Sequence, residues 1–291
     1  MPRAADPEAV ILGFRAFDPH ELLLHFVAER MGHYERARLA VCLSDLTFTP
    51  EDKLARRTFS TACGATIVGR AQGTRRKVVL VATERPMFWM YARAGTDWQQ
   101  LRGARIATFP PGSPPWLIHR AILSGRGLDP DQDVRLDAAR DDVARLGLLR
   151  SGNVAAAVLS SHVPPARAHS LGLTTLLFFG DEICMPTTGL AVSEEILSEK
   201  PGLARRMVEA LRSSLTTVHE SASEVLPVLE ELLDCGPEIA ESTLGIVRAC
   251  FTRDGRASAD ARRNAIDLVN REYPGAGMKP EDVYDDSLLP A

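Results

Sequence analysis

The sequence has few cysteines, and none of them forms a C-x-x-C pair. The five thiols are odd in number and widely scattered, at positions 42, 63, 184, 235 and 250. Disulfide frameworks and zinc sites both rely on closely spaced cysteines, and the seven histidines show no metal-ligand spacing either. We therefore expect reduced thiols, no metal centre and no cofactor.

The chain also lacks a large excess of charge of one sign. The chain carries 34 basic and 38 acidic residues, which gives a net charge of -4. Such a balance provides no global field that attracts nucleic acid, so we expect no nucleic-acid partner. Aromatic residues make up only 6% of the chain, which argues against a large carbohydrate-binding platform.

Long hydrophobic runs are absent as well. The apolar runs at 17–30 and 174–179 end well before the roughly 18 to 20 residues that a bilayer crossing needs. The N-terminus shows no apolar stretch followed by a small-residue cleavage site. As the chain stands we expect a cytoplasmic protein, and a periplasmic one if a signal peptide was removed or the start is misassigned.

Several motifs that carry chemistry do not occur. The sequence contains no G-x-x-x-x-G-K-[ST] loop, no dinucleotide glycine fingerprint, no G-x-S-x-G elbow and no H-E-x-x-H helix. These absences exclude the nucleotide-binding proteins, hydrolases and metalloproteases that such motifs define.

Short apolar runs alternate with helical patterns along most of the chain. Residues 9–14 form a run of strand length, and Asp18 then opens a helical pattern. The alternation continues to about residue 178, and the pattern of residues 203–271 predicts helices. Alternating strands and helices predict an α/β fold with mainly parallel sheets. The pattern predicts that the chain crosses into a second domain near residue 97, and that a strand beginning at residue 189 leads out of it.

Segments spread over residues 9–272 resemble, in order, the type II periplasmic binding proteins of the sulfonate, nitrate and thiamine-precursor class. The segments that carry this resemblance are 13–34, 101–113, 127–134, 149–158 and 186–192. The resemblance implies a two-lobe fold, each lobe a sheet flanked by helices, with a helical C-terminal layer. Lobe one is then residues 1–96 plus 190–291, and lobe two is residues 97–189. It also implies a small-molecule ligand in the cleft between the lobes, a monomeric receptor and an ABC transporter permease as a partner.

Ligands of open α/β sheets bind beyond the carboxyl ends of the strands and at helix N-termini. This rule selects as candidate ligand-binding residues Phe17, Asp18, His20, Ser44, Asp45, Thr61, Cys63, Gly112, Ser113, Trp116, Arg140, Ser160, Ser161, His162, Thr187 and Thr188.

Each candidate also has a structural interpretation. Asp18 and Ser113 are expected helix N-caps, and Thr187 and Thr188 lie at a hinge. Backbone N–H groups near Ser113 can hold an anion. A helix N-terminus lowers thiol pKa values, which makes Cys63 the cysteine to consider as a nucleophile.

Three functions stay open. The first is a solute-binding protein that closes on an anionic or aromatic ligand between Ser113 and the turn at 17–20. The second is a cytosolic enzyme of the lyase, decarboxylase or precursor-biosynthesis type, with Asp18, His20 and His162 as its acid or base groups. The third is a cytosolic sensor whose closure a partner protein reads.

Overall fold

The protein folds into two five-stranded sheets with helices around them. The computed structural model describes residues 6–139 and 141–290. The strands are β1 (Glu8–Phe14), β2 (Leu39–Asp45), β3 (Thr58–Ser60), β4 (Arg76–Thr83), β5 (Trp89–Arg93), β6 (Arg105–Thr108), β7 (Arg135–Ala138), β8 (Ala156–Leu159), β9 (Leu173–Phe178) and β10 (Thr188–Ser193).

The helices of the first two thirds of the chain are mostly short. They are α1 (Pro19–Arg30), α2 (His33–Arg36), α3 (Cys63–Ala71), α4 (Pro114–Gly125), α5 (Asp142–Arg150), α6 (Pro165–Ser170) and α7 (Phe179–Glu182). The C-terminal third is helical, as the sequence predicts, with α8 (Glu194–Glu199), α9 (Pro201–Glu220), α10 (Ala222–Leu233), α11 (Pro237–Cys250), α12 (Ala259–Glu272) and α13 (Pro280–Val283).

The first sheet has the strand order β2-β1-β3-β10-β4. Strand β1 pairs in parallel with β2 and β3, whereas β10 runs antiparallel to β3 and β4. After the second sheet, β10 therefore returns to the first and inserts between β3 and β4. We call the elements built around this sheet the first lobe.

The second sheet has the order β7-β6-β8-β5-β9. Strand β6 pairs in parallel with β7 and β8, and β5 runs antiparallel to β8 and β9. We call the elements around it the second lobe. The two mixed sheets with flanking helices match the predicted fold class.

The chain passes between the sheets after Thr83 and again before Thr188. Strand β5, at 89–93, lies in the second sheet, although the predicted lobe boundary at residue 96 places it in lobe one. Its pairing with β8 and β9 depends on tertiary contacts, which the local pattern of these residues does not encode.

Local sequence explains how α1 begins. Asp18 has an extended backbone and accepts a hydrogen bond from the N–H of Glu21 at 3.0 Å, and Pro19 occupies the first helical position. An acidic N-cap followed by proline is a strong helix start. The predicted N-cap role of Asp18 is thus confirmed, and it fixes the start of α1 directly beyond the carboxyl end of β1.

Across the described residues, no helix combines the length and the apolar content that a membrane crossing requires.

Candidate ligand site between the two lobes

The two lobes touch where α1 begins. The backbone N–H of His20 donates to Oγ of Ser161 at 2.8 Å, across 141 residues of chain. His20 is the second residue of α1, so its N–H has no acceptor within the helix. A serine hydroxyl of the second lobe therefore satisfies an N-terminal donor of a helix in the first lobe.

Three threonines join the two chain crossings to this contact. Oγ1 of Thr83, at the end of β4, lies 2.8 Å from Oγ1 of both Thr187 and Thr188. Thr188 Oγ1 also donates to the carbonyl oxygen of His20 at 2.8 Å. The crossings and the start of α1 consequently form one hydrogen-bonded unit.

The His20 ring belongs to the same unit. Its Nε2 lies 2.7 Å from Oγ1 of Thr187 and 3.0 Å from Oγ1 of Thr83. Burial lowers the pKa of His20 to about 3, because a charged imidazole would lose its hydration. A general acid or base needs a pKa near the working pH. His20 is thus a neutral hydrogen-bonding group at neutral pH, and the acid-base role considered for it is not favoured.

Asp18 lies buried at this interface. Its side chain caps α1 through Oδ1, and Oδ2 accepts no hydrogen bond from any described residue under standard geometry. Burial raises the pKa of Asp18 to about 6, and the negative charge of Asp142 in the second lobe adds to this rise. The nearby side chains of Ser160 and Ser161 act in the opposite direction. Neither hydroxyl meets the distance and angle of a hydrogen bond to Oδ2, so this oxygen is free to accept one from a further donor.

The second lobe faces Asp18 with a compact ion pair. Oδ1 of Asp142 accepts from Nη2 of Arg145 at 2.6 Å and from the N–H of Ser160 at 3.1 Å, and its Oδ2 accepts from the Ser160 hydroxyl. Arg145 also donates to the carbonyl of Ala139 at 2.9 Å, and its guanidinium carbon lies 3.8 Å from the Phe109 ring centroid. The positive charge of Arg145 is therefore neutralised by Asp142.

Aromatic rings form one wall of the interface. The Phe88 ring lies 5.2 Å from the His20 ring and 5.2 Å from the Phe109 ring, edge to face in both cases. Phe17 lies beside Asp18 and is 54% exposed, in edge contact with Phe14 and Phe26. Phe17 is therefore an exposed aromatic ring adjacent in sequence to a buried carboxyl.

Thr61 lies behind this region and contacts a second buried carboxyl. Its hydroxyl donates to Oε1 of Glu21 at 2.6 Å, and the backbone N–H groups of Arg15 and Ala16 donate to the same carboxylate at 2.7 and 2.8 Å. Burial raises the pKa of Glu21 to about 7. Glu21 thus fixes the turn between β1 and α1.

The remaining candidates of the first lobe lie outside this cluster of contacts. Cys63 is buried, and its Sγ donates to the carbonyl of Leu80 at 3.7 Å. Burial raises the pKa of its thiol, so the expected lowering at a helix N-terminus is wrong, because desolvation outweighs the helix dipole here. Ser44 is half-buried, and exposed Asp45 accepts from the N–H of Thr47 at 2.8 Å within its own turn.

The candidates around α4 form a turn of their own. Ser113 occupies the N-cap position of α4, as predicted, but its hydroxyl donates to the carbonyl of Pro110 at 2.6 Å and makes no capping hydrogen bond to the helix. Gly112 has a φ of 77°, and Trp116 stacks with the guanidinium of Arg120 at 4.7 Å.

Two candidates remain. His162 follows Ser161, and its buried Nδ1 has no hydrogen-bond partner among the described residues. Arg140 lies outside the described residues. Within those residues, no three His, Cys, Asp or Glu side chains are grouped as metal ligands.

Sequence reasoning selected several residues that meet at this interface, namely Asp18, His20, Ser160, Ser161, Thr187 and Thr188. Thr61, also selected, lies behind the interface against Glu21. Sequence reasoning missed Glu21, Thr83, Phe88, Phe109 and Arg145 as parts of the site, and it treated Asp142 only as a helix-start carboxylate. The acidic residues at 141–142 were a usable signal, because a carboxylate at a helix start can accept hydrogen bonds from the end of a neighbouring strand, as Asp142 does from Ser160 after β8.

Replacing Asp18 by asparagine should change the pH dependence of stability. A carboxyl whose folded-state pKa is raised binds more protons in the folded protein, so wild-type stability falls as pH rises from about 4 to about 6. Asparagine keeps the N-cap and removes this titration. The difference in free energy of unfolding between Asp18→Asn and the wild type should therefore shift by about 2–3 kcal/mol in favour of the variant between about pH 4 and pH 8. Urea unfolding at both pH values measures this, with Asp267→Asn on the surface as a control; a constant difference would contradict it.

Comparison with known proteins finds similarity in structure. No family model matches the sequence, and no curated protein sequence does. The ligand-binding component of an ABC-type import system from Staphylococcus aureus, solved with zinc bound, superposes with a TM-score of 0.78 at 13% identity, over 97% of both chains. The alkanesulfonate-binding protein SsuA of Xanthomonas axonopodis pv. citri, bound to MOPS, gives a TM-score of 0.75 at 14% identity, over 99% of this chain and 96% of that one.

A Candida albicans protein described as having the generic periplasmic binding protein fold gives a TM-score of 0.73 at 13% identity, over 98% of both chains. These likenesses extend over nearly the whole length of the chain and include both sheets and the helical C-terminal layer. The protein therefore has the periplasmic binding protein fold.

Proposed function

We propose that this protein is a solute-binding protein whose two lobes close around a small organic ligand. The observation that carries the proposal is the contact of His20 N–H with Ser161 Oγ, beside a buried Asp18 carboxyl that has an unused acceptor atom. A helix N-terminus that is capped from the opposite lobe favours closure, because separating the lobes leaves that donor without its protein partner. A ligand that contacts both lobes at this point would stabilise the closed form.

The ligand site of this proposal is centred on the start of α1. Asp18 and the Phe17 ring contribute from the first lobe, and Ser160, Ser161 and His162 contribute from the second. Thr187 and Thr188 act as the hinge rather than as direct ligand contacts, because their hydroxyls are engaged with Thr83 and His20. A contact to Ser113 stays a prediction.

The structural neighbours support the class of function. One is named as a ligand-binding component of ABC-type import, and another as an alkanesulfonate-binding protein. By analogy we propose an ABC transporter permease as the partner, a periplasmic or surface location and a monomeric receptor.

An enzymatic function receives less support from the site. The pKa of His20 lies far below neutral pH, and the Cys63 thiol is buried with a raised pKa. Neither group is suited to proton transfer or nucleophilic attack near neutral pH. The remaining acid or base candidates are Asp18 and His162.

A thermal-shift screen with chemical analysis distinguishes these functions. The purified chain is tested with small amines, sulfonates, aromatic carboxylates and pyrimidines, and each stabilising compound is recovered after incubation and identified by mass spectrometry. A solute-binding protein raises its melting temperature with the compound and returns it unchanged. Recovery of a new product would instead establish an enzyme.

Replacing Ser161 by alanine should weaken ligand binding through closure. The variant leaves the His20 N–H without its acceptor in the closed form, and a lost hydrogen bond of this kind corresponds to about a fivefold to tenfold weaker affinity. Titration calorimetry with a compound from the screen measures the effect. Ser198→Ala, on the surface of α8, is the matched control. Equal affinities of all three proteins would count against the closure contact.

A further inference from the structure

One oxygen of the buried Asp18 carboxyl lacks a hydrogen-bond partner among the described residues. Asp18 is 1% exposed, and its Oδ2 accepts no standard hydrogen bond from the described residues. Buried polar atoms of folded proteins normally have partners, so an orphan acceptor needs an explanation. It lies at the meeting point of the two lobes, where a bound solute would contact both of them.

The charges around Asp18 indicate what would satisfy this atom. The charges coupled to Asp18 within the described residues are negative, those of Asp142 in the second lobe and Glu21 in α1. The other titratable or charged groups of this region are His20 in α1, His162 after Ser161, and Arg145, which is paired with Asp142. The positive charge of Arg145 is directed to Asp142 and to the Phe109 ring. His20 is neutral because of its burial.

An organic anion would fit this arrangement poorly. A sulfonate or carboxylate placed at Asp18 would add a negative charge beside two carboxyl groups in a region shielded from water. Like charges repel strongly where the dielectric is low. A donor that carries positive charge would instead bind Oδ2 and offset the charge of both carboxylates.

We propose that the ligand is an organic cation, a protonated amine or amidine, whose N–H groups donate to Oδ2 of Asp18. This inference rests on the proposed solute-binding function and specifies its ligand class. The oxygens of Ser160 and Ser161 lie beside the cationic group as further acceptors. The exposed Phe17 ring packs against the apolar body of the ligand and contributes a cation–π contact.

Binding of a cation has a characteristic pH dependence. Asp18 must lose its proton to bind the cation, so affinity is full above the pKa of about 6 and falls as pH decreases through it. Affinity should be about tenfold weaker at about pH 5 than at about pH 7.5. An anionic ligand would show the opposite trend, because a protonated Asp18 would repel it less.

The test uses three probes with one body and different charges: phenethylamine, phenethyl alcohol and phenylethanesulfonate. Benzamidine and a linear diamine extend the cationic set. Titration calorimetry at both pH values measures binding to the wild-type protein, to Asp18→Asn, and to Asp267→Asn as a control for the loss of a surface carboxylate. Asparagine is as good an N-cap as aspartate, so Asp18→Asn keeps the start of α1.

We expect at least one cation to bind the wild type and the control, to bind Asp18→Asn at least about tenfold more weakly, and to bind less tightly at the lower pH. Preference for the sulfonate or the alcohol, or unchanged cation binding by Asp18→Asn, would overturn the cationic assignment and leave the solute-binding function standing. If no probe of any charge binds, the cationic assignment is rejected. If the wider compound screen is also negative, the solute-binding function fails with it.

Discussion

Replacing Gly189 by alanine should lower the free energy of unfolding by more than about 4 kcal/mol, or prevent folding altogether. Gly189 lies in β10 with a φ of 155°, and its N–H donates to the carbonyl of Thr61 at 2.9 Å. A Cβ atom there would lie 2.1 Å from the carbonyl oxygen of Leu80 and 2.8 Å from the backbone nitrogen of Ala82. Both atoms belong to the neighbouring strand β4, so relief of the clash would break the pairing of β10 with β4.

Urea unfolding followed by circular dichroism measures this effect. Gly245→Ala is the matched control, because Gly245 lies within α11 and nothing approaches its Cβ position within 4 Å. Alanine in a helix is favoured over glycine by about 1 kcal/mol, so the control should become slightly more stable. A Gly189→Ala protein as stable as the wild type would show that β10 does not approach β4 as described.

Arg145→Leu should destabilise the protein by about 3–5 kcal/mol, because it leaves the Asp142 carboxylate without its charged partner near the lobe interface. The side chain of Arg145 is 2% exposed and that of Asp142 is 11% exposed. The leucine also loses the guanidinium contact with the Phe109 ring. Adding Asp142→Asn should restore much of the lost stability, because the double variant no longer contains an unpaired charge.

Equilibrium unfolding of the two single variants and the double variant gives the coupling energy of this pair. Arg263→Leu on α12, whose partner Asp260 is exposed, serves as a control and should have little effect. Additive effects of the two substitutions at 142 and 145 would contradict the ion pair as the source of the stability.

Local patterns predict much of the fold. The acidic cap at Asp18 followed by Pro19 predicts the start of α1, and the alternation of apolar runs predicts the layered α/β architecture. Strand β5 was not predicted, because only five residues separate it from the end of β4 and no helix intervenes. Its place between β8 and β9 is set by partners that lie more than sixty residues further along the chain.

The candidate site is predictable where it follows from strand ends. Asp18 follows β1 of the first sheet, and Ser160 and Ser161 follow β8 of the second, so the rule for ligands of α/β sheets selects them at the strand ends of their own sheets. The resemblance to two-lobe binding proteins is what predicts that these two ends face each other. Glu21 and Arg145 lie inside helices with ordinary surface-like sequence patterns. Their burial arises from contacts with Thr61 and Asp142, and no local period signals such contacts.

The measurement that tests the solute-binding account most directly is the distance between the lobes with and without a bound ligand. Spin labels on Cys42 of β2 and on a Leu171→Cys variant, with Cys184 and Cys235 replaced by serine, report this distance by pulsed electron resonance. The account predicts that a binding compound converts a broad distribution into a narrower one at shorter distance. An unchanged distribution at saturating ligand would contradict closure of the lobes as the mode of binding.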